Sequence, residues 1–168
     1  MDLPRLIRSA RRTWYGRWTL NALLSWNIPF NGPHGFKVMP TSDGGMKVKI
    51  PHWRVNRNHI RGIHARAMAT AAELSSGLSI MEHLDPRKFR LIMKDLRMEY
   101  HFQAKKKAYA ISGPVSEKIQ SNVIGPLKQQ ASVEYESTVR VQDSDGAHLA
   151  TGRITWQVKE WEKVRTKI

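Results

Sequence analysis

Residues 63–84 read IHARAMATAAELSSGLSIMEHL. Ala65, Ala67, Met68, Ala69, Ala71, Ala72, Leu74 and Leu78 are apolar on nearly all sides of a helix. A helix apolar all round is a buried one. Its small side chains, with Ser75, Ser76 and Gly77 following, let a surrounding backbone approach closely. Asp85-Pro86 stops it, because a residue before proline is steered away from helical backbone.

Upstream, Phe36 to Ile50 is expected to be a hairpin: Asp43-Gly44-Gly45 is a turn signal, and Met46 to Ile50 alternates apolar and polar. His52 to Gly62 is a polar, basic loop. Downstream come strands. Leu96, Met98, Tyr100 and Phe102 share one face, opposite Arg97, Glu99 and His101. Lys105 to Lys107 form a turn before a strand at Ala108 to Val115, and Gly125-Pro126 marks a loop. Val133, Tyr135, Val139 and Val141 alternate with Glu134, Glu136 and Arg140. The chain turns at Asp143 to Gly146 and returns through Leu149 to Val158, with Gly152 marking a bulge. The start is helical: Leu3, Ile7, Trp14 and Trp18 keep roughly helical spacing across residues 3–26, with arginines between them. Such a basic helix can lie on an anionic membrane surface; packing on its own domain or on a partner subunit is the favoured reading. A sheet of this kind must cover its apolar face. The expected fold is therefore α+β: a curved antiparallel sheet wrapped around one long central helix, in a single domain of residues 1–168, with residues 1–32 as a helical lead-in.

Composition narrows the partners. The 168 residues contain no cysteine, which excludes disulfides, thiol nucleophiles and cysteine metal sites. No stretch of the sequence is long and apolar enough for a membrane span. Met1 to Phe30 shows no small-residue cleavage site after a clean apolar core, so a cytoplasmic protein is expected. Twenty-eight Lys and Arg against 14 Asp and Glu give a formal net charge of +14, which attracts polyanions. His34, His52, His83, His101 and His148 have no metal-ligand spacing, so no metal is expected. Neither a Gly-rich phosphate cradle nor a Gly-x-Ser-x-Gly elbow occurs.

Asn58-His59-Ile60-Arg61-Gly62-Ile63-His64-Ala65, followed by Ala71-Ala72-Glu73, resembles the loop-and-helix signature of hotdog-fold thioesterases. The resemblance extends over most of the chain and is closest to thioesterase-like proteins related to the phenylacetate-pathway acyl-CoA thioesterase. It implies a homodimer, or a dimer of dimers, that hydrolyses acyl-CoA, with no cofactor beyond the coenzyme A moiety of the substrate. In that group an Asn stands six residues before the His that opens the helix, and an acid stands nine after it. Here these are Asn58, His64 and Glu73. The acid serves as base or nucleophile, and backbone N–H groups around Gly62 and Ala65 polarise the carbonyl. Relatives usually carry His-Gly-Gly where this chain has His64-Ala65-Arg66, so side chains stand where backbone met the ligand.

The chemistry can also be read directly. Thioester hydrolysis needs a base for water and donors for an oxyanion. A helix N-terminus has free N–H groups and a positive dipole end. Glu73 is the only carboxylate between Asp43 and Glu82, in the most apolar part of the helix. Burial raises such a group's pKa toward that of a working base. Nine residues of helix amount to about 13 Å of rise, so Glu73 cannot meet its own helix start. A two-fold dimer with composite sites is the expected solution. Arg57, Arg61 and Arg66, with Arg54, suit the phosphates of coenzyme A. Met68, Leu96, Met98 and Tyr100 are candidates for the acyl pocket.

Each residue also has a structural reading. Glu73 can pair with Arg61 or Arg66, His64 can cap the helix, and Asn58 can cap its loop. Other functions stay open too. Hotdog hydratases and dehydratases pair a His with a Glu fourteen residues on, as His59 and Glu73 stand here, although their Pro- and Gly-rich segment after the His is absent. A non-catalytic acyl-, lipid- or polyanion-binding protein is the third class; no interleaved aromatic and basic motif favours nucleic acid.

Overall fold

The computed structural model describes residues 2–164. Two helices, α1 (Leu3–Arg12) and α2 (Trp14–Asn27), precede the hairpin β1 (Lys37–Pro40) and β2 (Met46–Ile50). The helix α3 (Ala65–Met81) leads into β3 (Phe89–Tyr100) and β4 (Ala108–Ser112). A short helical stretch, α4 (Ser116–Ile119), a π turn and α5 (Gly125–Leu127), comes before β5 (Ser132–Asp143) and β6 (His148–Glu160). The six strands pair antiparallel in the order β1-β2-β4-β5-β6-β3. The architecture is α+β, and α3 packs against β2, β3, β4, β5 and β6.

The hairpin forms as its turn chemistry directs. Gly44 takes φ +91°, and Asp43 Oδ1 accepts from the Gly45 N–H at 3.1 Å. Strand alternation also decides the faces of β5, where Val133, Tyr135, Val139 and Val141 are buried and Glu134, Glu136 and Arg140 are exposed.

Five expectations need correction. First, residues 3–26 form two helices, not one. Thr13 is extended (φ −135°, ψ 147°) and its hydroxyl accepts from the Gly16 N–H at 3.1 Å, a cap that ends one helix and starts the next. Trp14 and Trp18 therefore leave the face of Leu3 and Ile7 and are exposed. Second, α3 runs over 65–81 instead of 63–84 and is not buried all round. Arg66, Ala69, Thr70, Glu73 and Leu74 form a stripe left open in the single chain, because the sheet covers only the other side. Third, β3 starts at Phe89, and Phe102 lies beyond it and is exposed. Fourth, Gly125-Pro126 opens α5 instead of a loop; proline is tolerated in a first helical turn, where its missing N–H is not needed.

Fifth, Gly152 keeps its register opposite Met98 and Val139, so it is no bulge; the irregularities fall at Met93/Asp95 and Val141/Gln142. Its role is close approach. A Cβ at Gly152 would lie 2.9 Å from Met98 Sδ and 3.4 Å from the Ala72 Cβ of α3.

Arg11 fastens α1 to the rest. Its guanidinium donates to the Gly44 and Gly45 carbonyls at 3.0 Å each, to the Thr41 carbonyl, and to both oxygens of buried Glu82 at the end of α3. One side chain thus joins α1, the hairpin turn and α3. This fixes the wall that α1 and α2 give to the site.

Candidate active site

The loop before α3 is held from inside by Asn56, which is fully buried. Its Nδ2 donates to the His34 and Pro51 carbonyls at 2.9 and 2.8 Å. Its Oδ1 lies 2.8 Å from His34 Nδ1, so that nitrogen carries the proton. Its main-chain carbonyl accepts the His64 N–H at 2.7 Å. Asn56 was not singled out from the sequence; its place in a loop beside Asn58 gives no signal of burial.

Asn58 closes the tip of the loop. Its Oδ1 accepts from the Ile60 and Gly62 N–H groups at 3.2 and 3.0 Å, and Arg61 adopts φ +61° within the turn. His64 caps α3: its Nδ1 accepts from the Arg66 N–H at 3.1 Å, which leaves the ring proton on Nε2. Both side chains thus do what their structural readings describe.

These bonds decide which amides are free. The expected set, Gly62 to Ala65, is mostly engaged. Gly62 donates to Asn58, Ile63 to the Ala104 carbonyl at 2.7 Å, and His64 to Asn56. Arg66 is capped by His64. Among the described residues, only the Ala65 N–H in the run 62–66 lacks an acceptor. The set shrinks to a single donor because loop closure needs the others. Tyr100 borders the same helix start, its hydroxyl donating to the Ala65 carbonyl at 3.0 Å.

Glu73 sits about 12 Å further along α3, on the open stripe. It lines a cavity of about 790 Å³ and, among the described residues, is the only carboxylate there. Leu74, Leu78 and Met81 of α3 form one wall; Phe89 and Leu91 of β3 form another. Leu24, Ile28 and Phe30 close a third side, with Trp156 and Trp161. Gly77, one turn beyond Glu73, has no side chain where the Trp156 ring lies; a Cβ there would stand 3.1 Å from it. Trp156 is fixed by its Nε1–H, which donates to Ser76 Oγ at 3.1 Å. Burial in this apolar setting raises the Glu73 pKa above the ordinary glutamate range. No ion pair with Arg61 or Arg66 forms, and no hydrogen bond to its carboxylate is present among the described residues.

The expected acyl-pocket residues are not its walls. Met68 is core, Leu96 and Met98 pack against the core, and Tyr100 is at the helix start. The walls come instead from α2, the start of β3 and two tryptophans. No periodicity in the sequence reports that three remote segments meet.

Arg57 and Arg61 do come together. With Arg54, Asn58 and His59 they line a separate surface pocket of about 380 Å³. It holds no carboxylate, and none of these arginines is in an ion pair among the described residues. Arg66 is exposed on α3, outside that pocket. His59 and Glu73 line different cavities. Among the described residues no helix is long and apolar enough to cross a membrane.

A family model described as Domain of unknown function (DUF4442) matches residues 16–158. No curated protein gives a significant match. Solved structures do. A Pseudomonas aeruginosa protein described as a probable thioesterase is 22% identical, with TM-score 0.75, covering 83% of this chain and 93% of that one. A mutant thioesterase from the same organism is 14% identical, with TM-score 0.68 and coverage of 90% and 99%. A Haemophilus influenzae thioesterase is 13% identical, with TM-score 0.68 and coverage of 89% and 94%. At these identities the likeness is one of fold, that of the thioesterase-like hotdog proteins.

Proposed function

The chain belongs to the DUF4442 family, and on that premise we propose that it is an acyl-CoA thioester hydrolase acting at composite sites of a homodimer. One observation carries the reading: a lone carboxylate, Glu73, faces a mostly apolar cavity and is in no ion pair among the described residues, not even with Arg90, which lines the same cavity. An unpaired acid in such a place is costly unless it is used.

In this mechanism Glu73 takes a proton from water as that water attacks the thioester carbon, or attacks the carbon itself to give an acyl anhydride that water then hydrolyses. In both routes the C–S bond breaks, coenzyme A leaves as the thiolate and is protonated, and the acyl group leaves as the carboxylate. The Ala65 N–H of the other subunit holds the oxyanion that develops, aided by the dipole of its helix. Asn58 and His64 act through shape: their bonds set the loop and leave that amide free. The acyl group occupies the cavity between α3, β3 and α2. The coenzyme A phosphates meet Arg57 and Arg61, with Arg66 nearby on α3.

Two features support the dimer. Strand β3 ends the sheet, and among the described residues one of its edges has no partner strand over twelve residues, none of them buried; such an edge calls for a cover. The open stripe of α3, with Glu73 in it, is equally unpartnered. Two-fold pairing answers both, and it resolves the separation of Glu73 from its own helix start. Hydration by a His59–Glu73 pair has less support, since the Pro- and Gly-rich segment that follows the His in hydratases is absent from this chain.

The test is hydrolysis of a panel of acyl-CoA thioesters by wild type and Glu73→Gln. Loss of turnover with retained fold and dimer supports the reading. Unchanged turnover refutes it.

A further inference from the structure

A surface helix ordinarily turns polar residues outward. Helix α2 does the opposite. Its buried side is Gly16, Leu20 and Leu24. At helical spacing, Trp14, Tyr15, Trp18 and Trp26 fall on the other side. They are open: Trp14 is 74% exposed, Trp18 70% and Trp26 85%. Phe30, 68% exposed just after the helix, extends the apolar strip to the rim of the Glu73 cavity.

Helix α1 packs beside α2; a Cβ at Gly16 would lie 2.7 Å from the Ser9 carbonyl. With Leu3, Ile7 and Ala10 buried, its outward face is Arg5, Arg8 and Arg12. Arg17 flanks the aromatic strip on α2. None of these four arginines is in an ion pair among the described residues. The fifth arginine of the region, Arg11, is turned inward to Glu82. The result is a row of guanidinium groups beside a row of indoles.

We propose that the α1–α2 face docks on an anionic lipid bilayer, with the aromatic row in the interface and the arginine row at the headgroups. Tryptophan and tyrosine favour that interface because one end of the ring system is apolar and the other wet. Arginine is drawn there by anionic headgroups. Charge complementarity selects this occupant over a second copy: pairing two such faces would set Arg5, Arg8, Arg12 and Arg17 of one copy against the same arginines of the other, with no carboxylate paired to any of them among the described residues. The cavity selects it over nucleic acid. The strip ends at Phe30, which lines the cavity together with apolar Leu24 and Ile28, a path suited to an acyl chain. The inference goes beyond hydrolysis and is read by binding alone.

The test is co-sedimentation of the full chain with phosphatidylcholine vesicles, with and without phosphatidylglycerol. Two double variants accompany it, Trp14→Ser/Trp18→Ser and Arg5→Glu/Arg12→Glu, all at positions outside the catalytic assignments. Wild type is expected to bind anionic vesicles at least about a hundredfold better than neutral ones. The arginine variant should lose about thirtyfold and the tryptophan variant about tenfold, with melting temperature and hydrolysis of a short acyl-CoA unchanged. Wild type left in the supernatant overturns the proposal, as does equal binding by the tryptophan variant. So does a fall in oligomer mass in that variant, which would assign the face to a second copy. Binding of a single-stranded oligonucleotide, lost in the variants and unaccompanied by vesicle binding, would assign it to nucleic acid.

Discussion

Replacing Ala65 by proline removes the one free N–H at the start of α3 and almost nothing else. The position is the first of the helix, where proline's fixed φ is already suitable. The preceding residue, His64, has ψ 139°, within the extended range a following proline requires. The lost N–H has no acceptor in the folded chain, so no hydrogen bond is broken. The Ala65 carbonyl, which takes the Tyr100 hydroxyl, is retained. Stability should therefore move by less than about 1 kcal/mol, or a few degrees in Tm. The rate should not be spared. Losing one oxyanion donor costs about 10²–10³ in kcat, roughly 3–4 kcal/mol of transition-state stabilisation. The assay is release of free coenzyme A at saturating acyl-CoA, followed with a thiol reagent. kcat falls while KM holds, because the donor meets charge that exists only in the transition state. Ala65→Gly keeps the N–H and serves as the control that retains activity. A folded Ala65→Pro protein with wild-type kcat refutes the assignment of this amide.

Glu73→Gln should lower hydrolysis by about 10²–10⁴-fold. Because burial raises the folded-state pKa of Glu73 above its unfolded value, stability falls as pH rises through the folded pKa. Glutamine escapes that penalty, so the variant should melt above wild type at neutral pH and converge with it in acid; a lower Tm at neutral pH would mean that the carboxylate is favourably paired. Arg11→Met leaves buried Glu82 without its partner, costing about 3–5 kcal/mol. Thermal unfolding should register roughly 6–20 °C, and adding Glu82→Leu should restore much of it. Gly77→Leu begins with a Cβ 3.1 Å from the Trp156 ring and forces the indole toward the cavity; overpacking of this kind costs about 1–3 kcal/mol. Long acyl-CoA substrates should lose rate before short ones, and an unchanged ratio across chain lengths would count against this cavity as the acyl site.

Much of the fold was readable along the chain. The hairpin turn at Asp43 to Gly45 and the two faces of β5 are local matters, set by turn chemistry and by period-two burial. The split at Thr13 was less visible, since the apolar spacing of Leu3, Ile7, Trp14 and Trp18 runs straight through it. A capping hydroxyl outweighed that spacing, and the aromatic side chains went to the outside. Gly152 shows the same limit from the other direction. A glycine in a strand marks either an irregular register or a close neighbour, and only the position of Ala72 and Met98 distinguishes them.

Composition and periodicity are properties of neighbours in the chain, and they suffice to place one acid in an apolar helix, a basic loop before it and strands around it. Which amide is left free, which walls enclose Glu73 and which helix face meets the outside follow only from the folded chain. Those outcomes depend on contacts between distant segments: Ile63 with Ala104, His64 with Asn56, Trp156 with Ser76, Arg11 with Glu82. A hydrogen bond or a cavity wall is made by whatever lies within a few ångströms, and distance in space cannot be counted in residues.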